Sequence, residues 1–150
     1  MEDFLDSDLG RLERVNRLRS AGAGAEHEEV EAALESRFRA SVRLAVYGSL
    51  APGRSNHDQV AELAGEWTSG LSVRGELREL GWGVHYGFPA LRWSMSGGEV
   101  PVQLFVSEDL PRHWSRLDQF EGSDYVRILV PVLKDGEVET VANLYEARER

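Results

Sequence analysis

The stretch YVRILVPVLKDGEVETVANLYEA, residues 125–147, limits the possible folds more than any other part of the chain. Two runs rich in β-branched residues flank KDGE, and an Asp-Gly pair between such runs signals a tight hairpin turn. A hairpin alone is marginal in water, so its apolar face has to be covered by more strands or by helices. Pro131 has no amide proton to give to a ladder, which puts it at a sheet edge or beside a bulge.

More strands are expected upstream. Val42 to Tyr47 reads as a buried strand that stops at Gly48, and VPVQLFV (100–106) reads as another. LSVRGELREL alternates Leu71, Val73 and Leu77 with polar residues, with Gly75 as the candidate bulge. NHDQVAELAG suggests a short helix capped by Asn56 or Asp58. Five or six strands, few helices and no strand–helix–strand rhythm indicate an α+β fold around a curved or closed sheet.

Residues 1–40 have a different texture. Leu9, Leu12, Val15 and Leu18 recur at helical spacing, as do Val30, Leu34 and Phe38, and SAGAGA joins the two runs as a hinge. The expected division is an N-terminal helical extension, 1–40, and a main domain, 41–150. The two helices dock on that domain as a hairpin; a homodimer contact or partner-binding arm is the alternative use of the segment.

Charge and composition exclude several functions. A net charge of −9 argues against nucleic-acid binding, which rests on basic residues neutralising phosphates. The chain has no cysteine, so thiolate chemistry and disulfides are ruled out, and its four histidines (His27, His57, His85, His113) lack metal-ligand spacing. No metal or cofactor is expected. The sequence has no apolar run of membrane-spanning length, and its acidic start lacks the order of a secretion signal, so a cytoplasmic protein with no membrane partner is expected.

SEDLPRHWSRLDQFEG, residues 107–122, predicts one helix with Ser107 as its cap and Gly122 as its stop. Its apolar stripe is Leu110, Trp114 and Leu117, and the next position along that stripe is Glu121. A carboxylate in line with core residues, at the negative end of a helix dipole, is disfavoured twice in its charged form. Such a group takes and returns a proton near neutral pH. The more ordinary outcome of the same pattern is a frayed last turn with Glu121 in water.

Three blocks together resemble the γ-glutamylcyclotransferase-like family, in the branch of γ-glutamylamine cyclotransferases and plant avirulence-induced proteins. They are YGSL at 47–50 followed by APGRSNH, VRGELREL…GFPAL across 73–91, and LDQFEGSDYVRILV at 117–130. The resemblance covers about residues 42–146. It implies a small mixed β-barrel of five or six strands flanked by helices, and conversion of a γ-glutamyl substrate into 5-oxoproline and a free amine without any cofactor. It also implies Glu121 as the catalytic acid/base, with Tyr47, Gly48, Ser49 and Leu50 holding the glutamyl end and Tyr125, after the glutamate's loop, as a further substrate-binding residue. Before the catalytic helix this chain has Val102 and Gln103 where the family often carries V-x-G-E. A catalytically silent binding module on the same scaffold is the alternative.

Overall fold

The computed structural model describes residues 4–21, 28–48, 50–79 and 89–148. The elements run α1 (Asp6–Ser20), α2 (Glu28–Phe38), β1 (Arg43–Val46), β2 (Glu66–Glu79), β3 (Pro89–Trp93), β4 (Gly98–Val106), α3 (Trp114–Glu121), β5 (Tyr125–Lys134) and β6 (Glu137–Ala147). The strands order as β3-β2-β4-β1-β6-β5, and β2 also pairs with β5 at Ser72↔Leu133, so five strands close into a barrel with β3 added outside. β1 and β6 run parallel while the other pairings are antiparallel, which makes the barrel mixed.

The β5–β6 hairpin forms as its sequence predicts. Asp135 and Gly136 both have positive φ, 53° and 83°, the geometry whose twist matches the flanking strands. The register slips between Val132 and Leu133, next to Pro131, at the seam where β5 meets β2. β6 is buried without a break from Thr140 to Ala147. Ala142 and Leu144 point into the barrel, while Val141 and Tyr145 belong to two outer clusters, so both faces of the strand are covered.

Three large apolar clusters result among the described residues, with a small fourth of Ala90 and Ala147 against Tyr125. One fills the barrel and includes Val73, Leu91, Ile128, Val130 and Leu144. The second joins the chain after β1 (Leu50, Ala51, Val60) to Leu110, Trp114 and Leu117. The third seats Leu12, Val15, Leu34 and Phe38 on Leu129 and Val141, so α1 and α2 dock on the barrel as the stripes predict. The side chain of Asn16 makes both hydrogen bonds of a ladder with the Leu129 backbone, each 2.8 Å, and α1 thereby caps the outer edge of β5. Most of the hinge SAGAGA lies outside the described residues.

Four local expectations are corrected. The β2 bulge falls between Thr68 and Leu71, where Gly70 takes φ 82°, and not at Gly75. Gly75 instead permits close approach, because a Cβ there would stand 2.6 Å from the Arg92 carbonyl oxygen. Leu77, expected to face inward, is 49% exposed, since beyond Gly98 β4 no longer flanks β2. NHDQVAELAG forms a single 3₁₀ turn, His57–Gln59, followed by turns, and neither Asn56 nor Asp58 makes a side-chain cap. The 107–121 segment also splits: a 3₁₀ turn at Leu110–Arg112 precedes α3, since Pro111 supplies no amide proton and the His113 amide bonds to the carbonyl of Leu110.

Candidate active site

The site forms where the end of β1, the end of α3 and the start of β5 meet over the second apolar cluster. Despite its broken start, α3 keeps the predicted stripe: Leu110, Trp114 and Leu117 are 0%, 8% and 0% exposed. This anchoring carries the helix end to the barrel, and Glu121, its last residue, is partly buried there. Gly122 then turns the chain with φ 80° and an extended ψ of −174°, a stop by positive φ but not the left-handed cap that the sequence suggests.

Burial is the main cause that lifts the Glu121 carboxyl from 4.5 to about 7, and the neighbouring charge of Asp118 adds to it. Among the described residues no hydrogen bond or ion pair reaches that carboxyl. Glu121 in turn disfavours ionisation of three tyrosines, Tyr47, Tyr125 and Tyr145, which places all of them within its electrostatic reach. Burial is the leading cause in each; it pushes Tyr125 up to about 12 and holds the other two higher still. These phenols are therefore neutral hydrogen-bonding groups near pH 7.

Tyr47 is fixed by two bonds: its hydroxyl donates to the Tyr145 carbonyl at 2.7 Å and accepts the Leu91 amide at 3.2 Å. The chain then leaves the sheet. The Ala51 amide bonds back to the Gly48 carbonyl, whereas among the described residues the Gly48 and Leu50 amides donate to no backbone carbonyl. The Leu50 side chain is 3% exposed and anchors the loop in the second apolar cluster. Ser49 lies outside the described residues, as do Gly87 and Phe88 of the GFPAL block.

The structure thus brings Glu121, Tyr47 and Tyr125 into one electrostatic neighbourhood, and Gly48 and Leu50 adjoin Tyr47 in the chain. Sequence reasoning passed over a second set of residues. Tyr145 donates to Asp118 Oδ1 at 2.7 Å, and Arg127 donates to the same oxygen at 2.9 Å. Asp118 stands one helical turn before Glu121, a spacing that was visible in LDQFEG. The His57 ring bonds the Leu50 carbonyl at 2.9 Å and leans on Trp67, which fixes the loop after β1. No periodic pattern nominates that histidine.

The sequence model of the family "Gamma-glutamyl cyclotransferase, AIG2-like" matches residues 44–150, and the chain belongs to this family. No curated protein sequence matches it. Solved structures of similar fold include an AIG2-like protein from Mus musculus (22% identity, TM-score 0.52, covering 71% of this chain and 76% of that one). YkqA from Bacillus subtilis is similar at 24% identity with TM-score 0.54, but the match spans only 36% of YkqA. An allophanate hydrolase from Kluyveromyces lactis matches over 17% of its own length at 16% identity and TM-score 0.54. The same barrel therefore occurs inside larger chains, and fold alone does not select a reaction. The family to which the chain belongs is one of cyclotransferase type. Among the described residues no helix is long and apolar enough to cross a membrane.

Proposed function

We propose that this protein closes the glutamyl part of a γ-glutamyl amine or γ-glutamyl amino acid into 5-oxoproline and releases the free amine. The observation that carries the reading is Glu121: a partly buried carboxyl that no cation among the described residues pairs with, titrating at about 7, within electrostatic reach of the tyrosine that opens the YGSL loop.

The substrate's α-ammonium has no lone pair, so it must lose a proton before it can attack. The Glu121 carboxylate accepts that proton. The α-nitrogen then bonds to the γ-carbonyl carbon, closing a five-membered ring and placing negative charge on the carbonyl oxygen. As this tetrahedral species collapses, the bond to the departing nitrogen breaks, Glu121 returns the proton to it, and the ring nitrogen gives up its second proton, which leaves on the amine as its ammonium form. Acid–base help of this kind is worth roughly 10²–10⁴-fold.

The rest of the acceleration comes from holding the glutamyl chain curled. Gly48 and Leu50, with Ser49 between them, supply amides for the substrate's carboxylate or its oxyanion. Tyr47 and Tyr125, neutral and partly buried, border the same space and exclude water. The test is a mass-spectrometric screen of γ-glutamyl compounds for 5-oxoproline, with Glu121→Gln as control. Product from wild type and its near-absence in the variant are expected. Equal rates in both would reject the assignment of Glu121.

A further inference from the structure

The family match begins at residue 44, yet a chain of hydrogen bonds runs from α1 to the helix that bears Glu121. Arg19 Nη1 donates to the Arg127 carbonyl at 3.1 Å and to Asn143 Oδ1 at 3.0 Å. Arg127 Nη1 donates to the same Asn143 oxygen at 2.8 Å, and Asn143, 1% exposed, is itself tied to the Ala40 carbonyl at 2.7 Å. Two guanidinium groups thus share one amide oxygen. Each is drawn to a different carboxylate: Arg19 to Glu31 on α2, Arg127 to Asp118 on α3.

We propose that Arg19 is a positioning residue for the reaction: its charge occupies Glu31 and keeps Arg127 turned toward Asp118, which sets the last turn of α3 and with it Glu121. This inference rests on the cyclisation reading above. The groove between the helices and the barrel, about 430 Å³, is lined by Arg19, Glu31, Trp114, Arg127 and Asn143 among others. Arg127 borders this groove, and the charges on either side of it decide which way it points. It lies over the Trp114 ring at 4.4 Å and meets Asp118 through Nε. Asp118 also accepts the Tyr145 hydroxyl, and its carbonyl accepts the Gly122 amide at 3.0 Å, which closes the turn that ends at Glu121. Without the Arg19 charge, Glu31 competes for Arg127 across the groove, and Asp118 loses a charge-assisted bond.

The test compares wild type with Arg19→Met, Arg19→Lys and the double variant Arg19→Met/Glu31→Gln. Leu12→Ala serves as a destabilised control that leaves the hydrogen-bond chain intact. Small displacements of a catalytic group cost rate rather than binding, so Arg19→Met should lower kcat by roughly 10- to 100-fold at unchanged KM. The lysine variant and the double variant should recover most of that loss, and the control should keep wild-type kcat per folded molecule. Exchange of the Arg127 Nε proton, read by NMR, should quicken about tenfold in Arg19→Met alone, as expected for one lost charged hydrogen bond. An unchanged kcat in Arg19→Met, or a double variant no better than the single one, overturns the proposal. A wild type that makes no 5-oxoproline overturns the cyclisation reading instead; the relay is then judged on Arg127 exchange, and unchanged exchange in Arg19→Met overturns it.

Discussion

Two acids, Asp8 and Glu121, sit at opposite kinds of helix end. Asp8 lies in the first turn of α1, where the backbone amides point outward and the dipole favours an anion. It is 0% exposed, accepts the Leu5 amide at 2.8 Å, and is paired with Arg37 at 2.9 Å and Arg11 at 3.5 Å. Glu121 occupies the last turn of α3, where the dipole opposes an anion, and the charge that acts on it is another carboxylate, Asp118. Asp8 is a satisfied anion that ties α1 to α2. Glu121 is an acid that the fold makes easy to protonate. Burial is common to both, so the partners decide what a buried carboxylate is for.

The contrast is sharpest in Glu121→Gln, which should lower 5-oxoproline formation by roughly 10²–10⁴-fold while the urea midpoint at pH 7 holds or rises. Asp8→Ala should do the reverse. It strips Arg37 of a buried partner and leaves the Leu5 amide unpaired, a loss of about 2–4 kcal/mol in a urea titration, with kcat per folded molecule unchanged. An Asp8 variant as stable as wild type would break the comparison.

Stability against pH tests the same point. The folded carboxyl of Glu121 titrates at about 7, above its ordinary 4.5, so the folded state holds this proton more tightly than the unfolded chain does. Its contribution is fully present below about pH 4.5 and is lost as pH rises through about 7, roughly 1–3 kcal/mol across that window. Glu121→Gln should remove this slope, and a slope of equal size in both proteins would assign it elsewhere. The rate should rise with pH through the same region, because the carboxylate form accepts the substrate's proton. Tyr47→Phe should cost about 1–3 kcal/mol, since the Leu91 amide loses its acceptor, as read by thermal unfolding. The smallest shift in pH dependence is expected of Asp118→Asn, which removes the lesser of the two causes that lift Glu121: the acidic limb of the rate profile should move down by less than burial alone maintains, on top of the fall in kcat that the weakened Arg127 bond brings.

Much of the scaffold was legible because its signals are local. The KDGE turn, the strand runs around it and the helical stripes of residues 1–40 each express a preference that neighbouring residues decide. The misplaced bulge has a different origin. Two glycines lie within β2, and only the strands beside it determine that Gly70 bends the backbone while Gly75 makes room for Arg92. The broken start of α3 was signalled by Pro111, yet the stripe survived the break because Leu110, Trp114 and Leu117 still had one cluster to enter.

By itself the sequence determined that the chain builds a mixed, strand-rich domain with a helical N-terminal segment, and it placed an acid on the buried line of a helix. Tertiary structure alone decided that no cation among the described residues pairs with this acid and that Tyr47 and Tyr125 stand within its reach. It also decided that Tyr145, Asp118, Arg127 and Asn143 join a site to a helix more than a hundred residues away in the chain. Periodicity reports which face of an element is buried, whereas the charge and hydrogen bonds around a group depend on atoms that only folding brings together.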